Sequence, residues 1–410
     1  MENNELIPHL FRTEYRKIVT VLGKLFGFEH IETAEDISSD TFLLAAETWG
    51  QKGIPPNPIA WLYTVAKNKA KNHLKRDTLF AKTIQPAIKH LSGIAETGEP
   101  EIDLSEQNIN DSQLQMMFAI CHPVIPVEAQ IGLSLKILCG FGIEEIADAF
   151  LTGKDTIYKR LSRAKEVLKT EKVTIALPGA SEIDQRLEAV LATLYLLFNE
   201  GYYSNSQHSI LRKDLCLEAI RLNYLIVENP QTDTPPANAL LSLMCFHASR
   251  FEARVGRDGE IILYDEQDES LWNKELMEKG SYYLNRSATG TKLSKYHLEA
   301  AIAYWHTYKL DSREKWENIL QLYNQLLQIQ YSPIAALNRT YALAKANGVA
   351  EGIAEAEKLR LTDNHFYFVL LGELYRTIDA EKARAHFLSA LALAKSPTDK
   401  STIQGKIDRL

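Results

Sequence analysis

The chain has 410 residues, enough for two or three domains that each bury a core. Its 45% hydrophobic and 24% charged residues are those of an ordinary soluble protein. A formal net charge of −7 argues against a free-standing, tight DNA binder, because phosphate neutralisation supplies most of that affinity; local basic faces held on DNA by a larger partner are not excluded.

Cys121, Cys139, Cys216 and Cys245 lie far apart, with no CxxC and no Cys/His ligand spacing. Each sits in an apolar stretch, so buried thiols in a reducing compartment are expected. The opening MENNELIPHLFRTEYRK has no apolar signal core, and the longest apolar run, Val190 to Phe198, is too short to span a bilayer. A cytoplasmic protein without a membrane partner is expected.

Helical periodicity dominates, giving an all-α fold. The exception is Phe251 to Tyr264, read as a short strand pair around Gly256-Arg257-Asp258-Gly259. Residues 91–111 hold six acids and no Lys or Arg, the composition of an exposed linker. Further breaks fall at Leu177-Pro178-Gly179-Ala180 and, more loosely, at Thr289-Gly290-Thr291. The segments are 1–90, 112–172, 180–290 and 291–410.

In the first segment Thr33 is expected to cap a helix whose first turn carries Glu35 and Asp36, with Gly50 as its stop. Ile37, Thr41, Leu44, Ala45 and Thr48 form its inward stripe. Asp36, Asp40, Leu43 and Glu47 form an acidic one, which composition alone reads as a solvated face. The next helix opens on Asn57-Pro58, a cap followed by proline at the first position. Leu62, Val65, Ala66, Ala70, His73 and Leu74 fall on its inner side. Lys67, Lys71 and Lys75 make one outer stripe and Asn68, Asn72 and Arg76 its neighbour. Trp61 to Arg76 contains five Lys/Arg and no acid. Cations with amides on one face suit phosphates and base edges, and Trp61 and Tyr63 can stack on an unpaired base. The alternative is a solvated charged helix.

Residues 142–168 have helix-turn-helix form. Ile143, Ile146, Ala147 and Phe150 face inward from the first helix, and Leu151-Thr152-Gly153 is the turn. Ile157, Leu161, Ala164 and Leu168 face inward from the second. Its outer face presents Lys154, Asp155, Thr156, Tyr158, Lys159, Ser162 and Arg163, placed to enter a major groove. A plain αα-hairpin with a charged face is the alternative.

Two such modules joined by an acidic linker resemble the extracytoplasmic-function (group IV) sigma factors of the sigma-70 family. AEDISSDTFLLAAETW looks like the family segment that docks on the clamp helices of the largest polymerase subunit. The resemblance therefore implies polymerase contacts at Glu35, Asp36, Asp40 and Phe42. PIAWLYTVAKNKAKNHLKR is similar to the helix that opens the −10 element. This role passes to Trp61, Tyr63, Lys67, Asn68, Lys71, Asn72, Lys75 and Arg76, with Lys67 where the family has arginine and Asn72 where it has aspartate. PVIPVEAQIGLSLKILCGFGIEEIADAFLTGKDTIYKRLSRAKEVL is similar to sigma domain 4, the reader of the −35 element. That role falls on Lys154, Asp155, Thr156, Tyr158, Lys159, Ser162 and Arg163, and Gly153 stands where the family usually has a capping serine. FNEGYYS, LCLEAIRL, YDEQDESLW, HLEAAIAYWH and SPIAALNRTYALA look like the large C-terminal extension of one sigma subfamily.

The resemblance implies sigma domain 2 (1–90), a linker (91–111), sigma domain 4 (112–172) and a helical extension (180–290 and 291–410). The implied partners are core RNA polymerase, through the clamp helices and the flap, and promoter DNA. Independently, Leu337/Leu371, Asn338/Gly372 and Tyr341/Tyr375 are spaced by the tetratricopeptide (TPR) period. Phe368-x-x-Leu371-Gly372-x-x-Tyr375 fits a first repeat helix, and Ala383, Phe387 and Ala390 fit a second. Such repeats bind a protein or peptide. The extension is expected to regulate, by masking the DNA faces or by binding a signalling partner.

No nucleotide-binding, zinc-protease or nucleophile-elbow motif appears, so no enzyme and no cofactor are expected. His247, Arg250, Glu252 and Arg254 are expected to gather with Asp265 or Asp268 in a polar network that fixes packing. A polymerase-independent helix-turn-helix regulator with a helical sensor domain is the alternative function.

Overall fold

A computed structural model describes residues 3–84, 102–203, 209–254, 256, 262, 264–290 and 292–410. Among them there are nineteen α-helices, short 3-10 turns, one π turn and no strand, so the fold is all-α. No described helix is long and apolar enough to cross a membrane. The chain forms two compact units, Met1–Ser206 and Gln207–Leu410.

The first unit holds α1 (Asn3–Phe26), α2 (Ile31–Lys52), α3 (Pro58–Ile84), α4 (Glu106–Ile120), α5 (Val127–Leu133), α6 (Ile143–Ala149), α7 (Lys154–Thr170) and α8 (Ile183–Tyr203). On α1, Tyr15, Ile18, Val19 and Leu22 recur at helical spacing and are buried. At Gly23 a side chain would meet Ile31 and Met116, so the missing Cβ lets α2 and α4 approach α1 closely. The helix α4 begins inside the stretch read as linker. Ser105 accepts a hydrogen bond from the Asn108 N–H as its cap, and Ile102 and Leu104 are already buried. The rest of that stretch, 91–101, lies outside the described residues. After α5 the helix widens into a π turn over Ser134–Leu138, whose Leu135, Ile137 and Leu138 are fully buried.

Helix α8, placed by sequence in the extension, packs on α4 and α5. The Arg186 guanidinium donates to the Phe118 carbonyl at 2.5 Å, and the buried Thr193 hydroxyl donates to Gln130 Oε1 at 2.9 Å.

The second unit runs through α9 (Ser209–Glu228), α10 (Pro235–Ala248), α11 (Phe251–Arg254), α12 (Lys274–Ser287), α13 (Lys295–Trp305), α14 (Arg313–Ile329), α15 (Pro333–Asn347), α16 (Val349–Leu359), α17 (His365–Tyr375), α18 (Ala380–Leu393) and α19 (Pro397–Asp408). Helix α10 is apolar nearly all round and is wrapped by α9, α12 and α13. From α14 onward each helix packs chiefly on its chain neighbours. Ser312, Ser332, Asn364, Asp379 and Ser396 cap α14, α15, α17, α18 and α19 with side-chain oxygens. Two glycines recur in one role: Gly280 lies against the Phe246 ring and Gly372 against the Phe387 ring, where an added Cβ would come within 2.6 Å in each case.

The two ends of the expected strand pair are corrected: Phe251–Arg254 is a helical turn and Tyr264–Glu266 a 3-10 turn. The Ile262 N–H donates to the Arg254 carbonyl at 2.8 Å, and residues 255, 257–261 and 263, with most of the expected turn, lie outside the described residues.

Candidate nucleic-acid interface

Two helical faces carry the candidate contacts. Helix α3 starts where expected: Asn57 Oδ1 accepts from the Ala60 N–H at 3.0 Å. Leu62, Ala66 and Ala70 are fully buried, and Val65, His73 and Leu74 are half-buried. Asn68, Asn72, Lys75 and Arg76 are exposed, while Lys67 and Lys71 are half-buried at the edge of the same face. Trp61 is half-buried, edge-on to Trp49 at 5.4 Å between ring centres. The Tyr63 hydroxyl donates to Glu14 Oε2 at 2.6 Å; burial and then that carboxylate push its pKa well above the ordinary value. Both aromatics are thus tied into the module at the entrance to the basic face.

Helix α7 matches its reading residue for residue. Ile157, Leu161, Ala164 and Leu168 are buried, and Lys154, Asp155, Thr156, Tyr158, Lys159, Ser162 and Arg163 are exposed. Leu151 takes the left-handed conformation with φ 48°, which turns the chain, and Gly153 is the N-cap with no side chain to offer the first turn. At Gly132 a Cβ would meet Leu161, so glycine brings α5 close under α7. Lys154 forms an exposed ion pair with Glu144 at 3.3 Å, worth little in water.

Helix α2 begins earlier and ends later than its sequence signals suggested. A 3-10 turn at Phe28–His30, anchored by buried Phe28, precedes Ile31, so Thr33 lies inside the helix. The stop is Gly53 at φ 84°, and Gly50 is an interior residue with open space around it. Asp36, Asp40, Leu43 and Glu47 are exposed as the acidic stripe requires, and Leu44, read as inward, is exposed too. Asp40 pairs with Lys69 of α3 at 3.2 Å. Phe42 is buried, with Phe11 edge-on at 5.1 Å, so it supports the face from within.

Glu35 holds an unexpected position. Its Oε2 receives Lys165 Nζ from α7 at 2.5 Å, with both side chains about six-sevenths covered. Arg12 and Glu145, a more exposed pair at 3.3 Å, bridge the same two modules. Burial lowers the Lys136 pKa, and the Glu35 carboxylate nearby raises it again. Sequence reasoning missed Lys165 because it lies on the flank of α7, between the groove face and the core.

Of the residues expected to gather in the middle segment, His247, Arg250 and Arg254 do so. Glu252 pairs instead with Lys213 at the surface, and Asp268 caps a 3-10 turn by accepting from the Ser270 N–H at 2.9 Å. The partners that sequence reasoning did not join to them are Tyr264, Trp272, His306 and Lys315. All four cysteines are buried; burial pushes Cys121 up to about 11 and Cys245 to about 12, which keeps both thiols protonated.

A helical module with a basic third helix is followed by a helix-turn-helix. Residues 10–79 match sigma-70 region 2, which supports a place in the sigma-70 family. It shares 30% identity over 388 residues with Uncharacterized protein R00370 of Rhizobium meliloti (strain 1021), covering 93% of this chain and 91% of that one. It also shares 26% identity over 171 residues with RNA polymerase sigma factor YlaC of Bacillus subtilis (strain 168), which is 41% of this chain and 93% of that one. Residues 186–288 match a family of unknown function, DUF6596. No solved structure matches the chain.

Proposed function

We propose that this sigma-70 family protein is an extracytoplasmic-function-type factor that binds core RNA polymerase and directs it to promoters with defined −10 and −35 elements. The observation that carries the reading is the pair of outward faces, Asn68, Asn72, Lys75 and Arg76 on α3 and Lys154 to Arg163 on α7, within a chain that matches region 2. Exposed cations neutralise phosphates, and the amides and hydroxyls between them suit base edges. The net acidity of the chain is tolerable because polymerase supplies further contacts and a high effective concentration.

Polymerase docking falls to Asp36 and Asp40 on the exposed face of α2, with Glu35 beside them and Phe42 beneath. Lys165 occupies the Glu35 carboxylate, so use of Glu35 by polymerase exchanges one cation for another. The same contact holds the two DNA-reading modules together in the free protein. Lys165→Ala is expected to tighten binding to core polymerase.

The extension regulates this activity, and its TPR-like helices α14 to α19 offer a surface for a protein or peptide. Because α8 packs against α4 and α5, ending the chain near residue 172 would remove the buried Leu187, Val190, Leu191 and Leu194 of α8 and uncover the faces of α4 and α5 on which that helix sits. Regulation is therefore tested on the full chain. The experiment is run-off transcription with purified core polymerase on a randomised promoter library. Wild-type protein is expected to enrich a two-element promoter. Arg76→Glu should abolish opening, and Lys159→Glu combined with Arg163→Glu should abolish −35 selection. No dependent transcript, together with no binding to core polymerase, would discard the reading in favour of a polymerase-independent regulator.

A further inference from the structure

In the second unit, Arg250 and Lys315 are 8% and 3% exposed, and neither forms an ion pair with any described residue. Both cations lie over the same ring: the Arg250 guanidinium is 5.4 Å and the Lys315 ammonium 5.3 Å from the centre of Tyr264. Lys315 donates to the Tyr308 carbonyl and, at 3.2 Å, to the Tyr264 hydroxyl. Of the described acids that act on Lys315, Asp311 and Asp265, neither forms an ion pair with it. Asp311 is engaged by Lys345 at 2.5 Å and by the Trp316 indole, and Asp265 is exposed at the edge.

Three polar atoms of Arg250 and of the Tyr264–Trp272 stretch are unsatisfied. Arg250 Nε, Trp272 Nε1 and Gln267 Oε1 are buried without a hydrogen-bond partner among the described residues, and each belongs to a side chain more than nine-tenths buried. Trp272 stacks on Tyr264 at 6.2 Å, and His306 stands edge-on to it at 5.2 Å. Burial, together with the Arg250 and Lys315 charges, holds His306 down to about 3, so it is neutral and cannot add to the positive charge. Buried charge is normally paired, and a buried donor normally has an acceptor. Among the described residues, two cations and one indole N–H here lack an anion, and one amide oxygen lacks a donor.

We propose that this cluster is a binding site for a small ligand that carries an oxyanion, carboxylate or phosphate, next to a hydrogen-bond donor. The oxyanion is held by Arg250, Lys315 and Trp272, and the donor is met by Gln267 Oε1. Such a site gives the second unit a chemical signal to sense. Tyr264, Gln267 and Trp272 come from one sequence motif and His306 from another, and this site gives both a shared purpose.

The test is titration of the full-length protein with inorganic phosphate and, separately, with glycolate, each against chloride at matched ionic strength. Tryptophan emission and the thermal midpoint are read without polymerase or DNA, so the result is independent of sigma activity. A saturable response to phosphate alone assigns a phosphate-bearing ligand, and one to glycolate alone a carboxylate-bearing one. Arg250→Gln and Lys315→Gln should each weaken the response by about tenfold, the loss of one charge-assisted hydrogen bond. Lys213→Gln, a surface control, should not. If the buried variants fail to fold, Trp272→Phe keeps the ring and removes only the N–H, and must weaken the response in thermal readout. The absence of a saturable response to both probes beyond chloride, or an undiminished response in folded Arg250→Gln or in Trp272→Phe, would overturn the proposal.

Discussion

The two units handle positive charge in opposite ways. In the first, cations stand in rows on the outer faces of α3 and α7, spaced by the helix and solvated along most of their length. In the second, Arg250 and Lys315 are drawn inside, around one tyrosine ring. Exposed rows keep their hydration until a polyanion releases its counterions, so they suit a long, regular partner and respond to salt. Enclosed cations have already lost their hydration. They are little affected by salt, and their proximity alters the protonation of every neighbour.

The largest effect that tests this contrast is the response to acid. In the folded protein His306 sits at about 3, and burial with Arg250, Arg254 and His306 nearby puts His247 well below its ordinary value. In the unfolded chain both titrate near 6.5. The unfolded state therefore binds more protons below that value, and stability falls as pH drops from about 6.5 toward 3. Between pH 7 and 5, His306 alone should cost the second unit about 2 kcal/mol. Thermal unfolding followed across that range should show the second unit melting first. His306→Gln should flatten the dependence, and an unchanged profile in that variant would break the comparison.

A second effect concerns packing. The Cβ of Gly372→Ala would press on the Phe387 ring at 2.6 Å, and Phe387 is fully buried between α17 and α18. Overpacking of this kind costs about 1–3 kcal/mol. Denaturant melts should register it in the second unit, while DNA binding by the first stays as it was. A neutral result would mean that α17 and α18 slide apart freely and that the tight helix pairing is not structural.

How much of this was legible in sequence depended on how local the cause was. The four buried positions of α7 and its exposed face followed from periodicity, as did the Asn57 cap of α3 and the inward Leu371, Phe387 and Ala390 of the last helices. Gly50 and Gly53 look alike in sequence, and only the backbone conformation at Gly53 shows which one ends α2. The burial of Phe42 was not legible, because its neighbours on the acidic stripe are exposed whereas its ring turns toward Phe11 and Tyr15. The Glu35–Lys165 pair, the seat of α8 on α5 and the cluster around Tyr264 join residues from distant segments. No local pattern encodes such meetings.

A third effect tests the exposed rows. Arg163→Ala removes one exposed cation from the outer face of α7 and leaves its core untouched. If Arg163 contacts phosphate, promoter affinity should fall by a similar factor on every sequence, and the slope of log K against log salt should shrink by about 1. If it reads a base, the loss should be confined to one position and amount to about 1–3 kcal/mol there. Holoenzyme binding measured at several salt concentrations separates the two. The thermal midpoint of the second unit should not move across the same salt range, which is the other half of the comparison.

The smallest effect lies at the entrance to α7. Gly153 has the extended backbone of an N-cap but supplies no side-chain acceptor, and nothing lies within 4 Å of where its Cβ would stand. In Gly153→Ser the hydroxyl can accept from a free N–H of the first turn without disturbing a neighbour. A serine cap exceeds glycine by only a few tenths of a kcal/mol. The gain should appear as a slightly higher denaturation midpoint of the first unit. The same N–H groups also lie at the end of the helix proposed to enter the groove, where they can donate to a phosphate. If they do so in the complex, the serine competes with DNA, and the variant should be more stable alone yet no tighter on the promoter. Equal gains in stability and affinity would instead mean that the cap orders the helix before binding and that the phosphate is held by the side chains alone.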